Sequence, residues 1–367
     1  MKRREFLKGA AAAGAVAAGA SSFPAPALSQ GLRELAMVTT WPKSFPGLGT
    51  SAQRLADRIG AMSQGKIRVK LFAAGELVPP FESFDAVASG MVDAYHGAAY
   101  YWQNKSKAFN FFTAVPFGLT ATELNAWIYY GGGQELWDEL AADFNLTSFL
   151  AGNTGVQMGG WFNKEIHSLK DFKGLNIHMP GLGGEVLRRL GATAVALPAG
   201  EIFPSLRFGD IDASEWMGPW NDLVLGLYKA AKSYYYPGFH EPGVALDFGL
   251  NRKLWESLSS DQQAMIRAAT QAENDLVLAE FNARNGAALE TLRKEHGVRL
   301  RRFSPKVLRA IGKVAGEVVA EVGASDAFTR RVYESFIRAR RKSIAWSRFA
   351  DQAYWEARLL PFRYSPA

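Results

Sequence analysis

Residues 32–41, LRELAMVTTW, form an apolar run that reads as a buried strand ending at Trp41. Over 47–63 the apolar positions Leu48, Ala52, Leu55, Ile59 and Met62 fall on one face of a helix. KIRVKLFAAGE (66–76) alternates instead, with Ile67, Val69 and Leu71 turned the same way, as a strand requires. Pro79-Pro80 then opens a helix through FESFDAVASGM, and VDAYHGAAYYW (92–102) reads as a third strand. Strand, helix, strand, helix, strand is the pattern of a parallel sheet covered by helices.

A second unit of similar pattern follows, without a sequence-level repeat. TSFLAGN (147–153), GVQMGGWFN (155–163), GLNIHM (174–179) and ATAVAL (192–197) read as strands, with short helices at GGEVLRRLG and AGEIFPSLRFG. From about Leu254 the pattern is helical. Ser259 with Gln262 three residues on is a capping box, opening a helix to about His296, and another helix spans roughly 305–322. The last stretch, 326–360, has no internal Gly or Pro and predicts one helix about 50 Å long. Phe328, Val332 and Phe336 make one stripe on it. Ile344, Trp346, Phe349, Tyr354, Trp355 and Leu359 carry apolar surface further, to be buried across the chain's own lobes or on a second subunit.

The amino terminus changes the picture. Lys2, Arg3 and Arg4 precede an Ala/Gly-rich run from about Gly9 to Ala20, and Ala25-Pro26-Ala27 offers a cleavage site, so residues 1–27 read as an export signal. Arg3-Arg4-Glu5-Phe6-Leu7-Lys8 is of twin-arginine type, which points to the periplasm; an ordinary secretion signal carrying two arginines is the alternative. Four basic groups and one acid leave with it, so the formal charge falls from +7 to +4. That charge, with no basic run carrying interleaved aromatics, gives no case for nucleic acid. With no cysteine, stability must come from burial.

Catalytic motifs are missing: there is no HExxH, GxSxG or P-loop, and GLGGE (181–185) lacks dinucleotide spacing. His96, His167, His178, His240 and His296 show no close zinc spacing. Polar residues in apolar surroundings say more: Gln157 in GVQMGGWF, Glu215 in DASEWMGPWNDL and Glu241 after YYYPGFH. An amide oxygen, a carboxylate and a main-chain carbonyl make a hard oxygen set that suits Na⁺ or Ca²⁺.

GNTGVQMGGWFNKEIHSLKDFKG, DFKGLNIHMPGLGGEVLRRLGA, IDASEWMGPWNDL and YYYPGFHEPGVALDFGLNRKLWESLSSDQQAMI together resemble the extracytoplasmic solute-binding subunits of TRAP transporters, in the subgroup that takes 2-oxo acids and lactate with a cation. The resemblance covers about 31–360. It implies an α/β, two-lobed, periplasmic-binding-protein-like fold with a hinged cleft, delivering a small organic acid to membrane subunits. Lobe one would hold 31–150 with about 242–300, lobe two 151–241, and the C-terminal helices 301–360, with 326–358 in a homodimer interface. Carried over by position, Gln157, Glu215 and the main-chain carbonyl of Trp216 resemble the cation ligands. Gln157, His178, Trp216, Glu241 and Tyr101 would face the substrate, with Trp41, Tyr100 and Trp220 as further lining.

One position departs from the family pattern, which has arginine where this chain has His178 in GLNIHMPG. Arginine stays charged and grips a carboxylate with two bonds; neutral histidine does neither. With Na⁺, Glu215 and a monocarboxylate the site sums to −1, so balance asks for Ca²⁺, a protonated His178 or an uncharged ligand. His178 facing away from a rearranged pocket is the remaining alternative. The runner-up function is an exported metal-dependent lyase or hydrolase acting on a small acid. It needs a base beside the cation, and none is stronger than His178. A sensor or structural dimer would have no small-molecule pocket.

Overall fold

The computed structural model describes residues 32–362, which build two β-sheets covered by helices. The leader read over 1–27 lies outside the described residues. The first sheet takes β1 (Arg33–Thr39), β2 (Ile67–Phe72), β3 (Ala94–Gly97) and β4 (Leu146–Asn153). The chain then crosses into a second sheet of β5 (Gly160–Phe162), β6 (Asn176–His178), β7 (Thr193–Val195), β8 (Ala213–Ser214) and β9 (Ser233–Tyr236). It returns for β10 (Ala245–Asn251) and, after a long helix, adds β11 (Arg299–Arg302) to the second sheet. The orders are β2-β1-β3-β10-β4 and β11-β9-β5-β8-β6-β7.

The opening β-α-β-α-β pattern is realised as expected: β1 pairs in parallel with both β2 and β3. Helix 49–62 covers that edge, with Leu55 and Ile59 fully buried. Ser259 caps helix 260–294 as its sequence predicts, accepting from the Gln262 amide while Gln262 Oε1 accepts from the Ser259 amide at 3.1 Å. This helix packs on β4 and helix 49–62 of the first sheet and on helix 219–225 beyond β8, so it ties the two halves together.

Four expectations are corrected. Residues 92–102 are extended only over β3; 99–102 curl into a 3₁₀ turn that redirects Tyr100 and Tyr101. Of 155–163 only β5 is strand, and Gln157 lies on the crossing between sheets. Residues 299–302 are a strand inside the region read as helical. The last helix is not continuous: it runs over 327–347, breaks at 348–350 and resumes over 351–357. Its first part folds on its own chain, with Phe336 against Phe111 and Trp127 and the Trp127 indole N–H donating to Ser335. Beyond Ser347 no surface supports it, and packing, more than propensity, sustains a helix.

β10, buried at all seven positions, is the antiparallel centre of the first sheet. Its Gly249 is required by packing, since a Cβ there would lie 2.2 Å from the Tyr95 ring. The Tyr95 hydroxyl donates to Asp247 at 2.7 Å, and burial pushes that carboxyl up to about 7. A raised carboxyl pKa favours the folded state most below its unfolded value, and the contribution is lost as pH climbs toward 7. Asp247→Asn keeps the acceptor and removes the titration. Relative to wild type it is expected to gain roughly 2–3 kcal/mol between pH 5 and pH 8 in urea unfolding. A pH-independent difference would contradict this.

Candidate functional site

Two strand ends and two crossings supply the site. β6 and β8 are parallel neighbours; His178 ends β6 and Glu215 directly follows β8, its amide donating to the His178 carbonyl at 3.1 Å. The carboxyl ends of parallel strands are where α/β sheets leave a crevice. Gln157 sits on the β4–β5 crossing, and His240 and Glu241 sit on the β9–β10 crossing. The crossings bond to each other: Gly238 N–H donates to the Gln157 carbonyl at 3.0 Å, and Gln157 N–H to the Glu241 carbonyl at 3.3 Å. The turn after Glu215 is held by Asp222, which accepts from the Trp161 indole at 2.8 Å, the Tyr234 hydroxyl at 2.6 Å and the Met217 amide at 3.2 Å. Burial raises this carboxyl to about 6 despite those donors.

Glu215 is 1% exposed and Glu241 3%. Burial pushes both carboxyls well above the usual range, Glu215 being further raised by Asp222 and Glu241 by Glu215. Among the described residues no lysine or arginine forms an ion pair with either. Gln157 Oε1, Glu241 Oε2, His178 Nε2, His240 Nδ1 and Trp216 Nε1 are buried without a hydrogen-bond partner. Buried polar atoms are normally paired, and a ligand in the cleft would supply partners to these five. Gln157 is meanwhile oriented by its amide nitrogen, which donates to Thr154 Oγ1 and approaches Met217 Sδ, both at 3.1 Å.

His178 does not face away: its Nε2 lies 3.8 Å from Glu215 Oε1. Its Nδ1 accepts from the Leu197 amide at 3.0 Å, which fixes the neutral ring with its proton on Nε2. Burial, aided by nearby His240, lowers its pKa to about 3. With Nδ1 accepting that amide, the geometry speaks for the neutral ring over the imidazolium. Tyr100 and Tyr101, raised by burial, also feel the charges of Glu215 and Glu241. Trp41 donates to His96 at 2.9 Å, and Trp220 packs on Phe281.

The cleft is closed from both sides. Asn221 Nδ2 reaches from the second half to the Pro46 carbonyl of the first at 3.0 Å, and Phe45 meets the Trp216 ring edge-on. Opposite, Lys107 stands 3.8 Å from Glu185, and Gly181 packs at Tyr100. His240, Thr154, Asn221 and Asp222 were not foreseen as site residues. A signal for two of them was present, because Asn221 and Asp222 lie in the same Trp-rich segment as Glu215.

A two-sheet fold closed over buried polar atoms without partners is the arrangement of a solute-binding protein. The chain belongs to the bacterial extracellular solute-binding protein family 7 (DctP), whose profile matches residues 37–326. It is 42% identical to the monocarboxylate 2-oxoacid-binding periplasmic protein of Nostoc sp. over 358 residues, 96% of this chain and 98% of that protein. Among solved structures it is similar to a TRAP transporter solute-binding protein of Bordetella bronchiseptica, a dimer with calcium and picolinate (36% identity, TM-score 0.87, 89% of this chain and 97% of the other). It is also similar to one of Pseudoalteromonas atlantica with sodium and pyruvate (38% identity, TM-score 0.86, 90% and 99%). The chain is thus an extracytoplasmic TRAP-type solute receptor and not an enzyme, and the lyase or hydrolase reading finds no support. Among the described residues no helix is long and apolar enough to cross a membrane.

The Asn221–Pro46 bond makes closure testable without a ligand. Asn221→Ala removes about 1 kcal/mol of closing contact. Hydrogen exchange at the amides of 45–49 and 216–218 is therefore expected to quicken about fivefold. Unchanged protection would show that this bond does not hold the cleft shut.

Proposed function

We propose that the chain captures a small 2-oxo or 2-hydroxy monocarboxylate together with a cation, in the cleft between two lobes, for delivery to TRAP membrane subunits. The carrying observation is the convergence of unpartnered buried polar atoms around two carboxylates with which, among the described residues, no lysine or arginine pairs. Gln157, Glu215 and the main-chain carbonyl of Trp216 are the groups we assign to Na⁺ or Ca²⁺, a donor set of hard oxygens. The cation supplies the positive charge this pocket lacks and an anchor for two oxygens of a chelating acid. With His178 neutral and Glu241 adjacent, a divalent ion balances the site better than Na⁺. Gln157, His178, Trp216, Glu241 and Tyr101 are assigned to the acid, His178 giving one fixed Nε2–H donor where an arginine would give two charged ones. The relatives' ligands, a 2-oxoacid, pyruvate and picolinate, support the class: each is a carboxylate with a second donor on the adjacent carbon.

We assign 31–150 with about 242–300 to the first lobe, 151–241 to the second and 301–360 to the C-terminal helices. The crossings near 154–159 and 237–244 then act as hinges. Export by the twin-arginine route follows from the leader motif. Homodimerisation follows from the end of the C-terminal helix, where Trp346 is 70% and Phe349 78% exposed beside Ile344, Tyr354, Trp355 and Leu359. Exposed apolar surface of this extent marks an interface, and the Bordetella relative is a dimer.

Two measurements test this reading. In thermal shift of residues 28–367, pyruvate at 100 times its dissociation constant should stabilise the fold by about 2.7 kcal/mol. The shift should need calcium, vanish with chelator, and weaken at least about tenfold in affinity in Glu215→Gln. A cation-independent shift would refute the charge argument, and none with any organic acid would refute the ligand class. Replacing Trp346, Phe349 and Trp355 together by serine is expected to turn a dimer into a monomer in light scattering while the pyruvate shift persists. A wild-type monomer would dismiss the dimer.

A further inference from the structure

We infer that Arg340, on the C-terminal helix 327–347, is a positioning residue for the solute cleft. Through Phe117 it braces the crossing that carries His240 and Glu241, so loosening this helix weakens solute binding. The effect on affinity rests on the solute-binding reading above, while the brace itself is built from contacts outside the cleft. Arg340 Nε–H donates to the Phe117 carbonyl at 2.7 Å. The Phe117 amide, on the other side of the same residue, donates to the Phe239 carbonyl at 2.8 Å. His240 and Glu241 follow Phe239 directly in the chain. One residue thus accepts a bond from the C-terminal helix and donates one to the second crossing.

Phe117 adopts an unusual backbone to do so. Its φ of 54° lies in the left-handed region, which costs a bulky residue free energy and persists only where its neighbours over-determine it. Its ring stacks on that of Phe239 at 5.9 Å and is seated against the apolar cluster of the second sheet. The rest of its loop follows the crossing too. Ala245 N–H donates to the Thr113 carbonyl at 3.1 Å, and a Cβ on Gly243 would come 2.9 Å from the Ala121 nitrogen. The crossing in turn reaches the site, because Gly238 N–H donates to the Gln157 carbonyl. Yet the joint is not packed solid. A cavity of about 260 Å³ lies beside it, lined by Val115, Phe117, Gly316, Tyr333, Phe336 and Arg340 among others. Packing therefore leaves the loop room to relax, and the Arg340 guanidinium is what holds the Phe117 carbonyl on that side. A crossing held in the closed arrangement before the solute arrives binds it more tightly, because less ordering remains to be done on binding.

The test compares residues 28–367 with Arg340→Met, which keeps the stem and removes the donors, and with Arg340→Lys, which keeps one charged donor. Pyruvate is titrated calorimetrically in calcium, and amide hydrogen exchange is followed with and without it. Arg340→Met is expected to quicken exchange at Phe117 and Gly238 and to weaken pyruvate binding, each about fivefold, the worth of one hydrogen bond. Exchange in β1 and β2 should stay as in the wild type, and Arg340→Lys should recover part of both losses. In the wild type pyruvate should itself slow exchange at Phe117, a readout that needs no variant. Unchanged exchange at Phe117 and Gly238 in Arg340→Met overturns the proposal, as does unchanged pyruvate affinity or a wild-type Phe117 indifferent to pyruvate. Exchange quickened equally in β1 and β2 overturns it too, because Arg340 would then serve the whole fold alone. A wild type that binds no organic acid is a distinct outcome: it removes the solute-binding reading, and exchange at Phe117 and Gly238 in Arg340→Met still decides the brace.

Discussion

Two carboxylates share one buried site, among the described residues no lysine or arginine pairs with them, and the architecture around Glu215 and Glu241 is organised by that charge. Leaving an ionised carboxylate buried and unpaired costs several kcal/mol. The protein alone therefore answers by holding protons, which is why both groups sit far above the usual carboxylate range. A bound cation offers the other answer, and only in a closed cleft does low dielectric make that attraction strong. Closure and cation binding are thus two sides of one electrostatic balance.

The backbone routes make this possible. Glu215 and His178 come from neighbouring parallel strands and share a main-chain hydrogen bond, so their spacing is set by the sheet. Gln157 and Glu241 come from the only two places where the chain passes between the sheets before helix 260–294, and these passages bond to each other. Any change in the angle between the sheets must move residues on the passages against those on the strand ends. Were these residues to share a ligand, they would meet it in one relative orientation, which ligand binding would then select.

Much of this was legible along the chain. The period of the apolar residues marked β2 and helix 49–62, an unbroken apolar run marked β1, and a capping box marked the helix at 260. Glu215 announced itself as an acid among tryptophans, and Gln157 as an amide in an apolar run. What was not legible has physical causes. β8 is two residues long and β11 lies partly exposed, so neither has a periodicity to detect. The break at 348–350 follows from missing support, not from Gly or Pro, and local sequence does not report where a neighbouring surface ends. Gln157 looked like a strand residue because a buried crossing is as apolar as a buried strand.

The two histidines show most clearly where sequence stops. Both stand in apolar segments, both are fully buried, and both flank Glu215. From composition they are interchangeable. A single amide, that of Leu197, separates them: by donating to His178 Nδ1 it makes that ring a permanent donor on its other nitrogen. His240 has no such amide among the described residues, and its Nε2 stands 3.3 Å from Glu215 instead. At the position where the family resemblance leads one to expect arginine, His178 therefore keeps a donor, weaker and uncharged, and a bound cation would bring the positive charge to the same cavity.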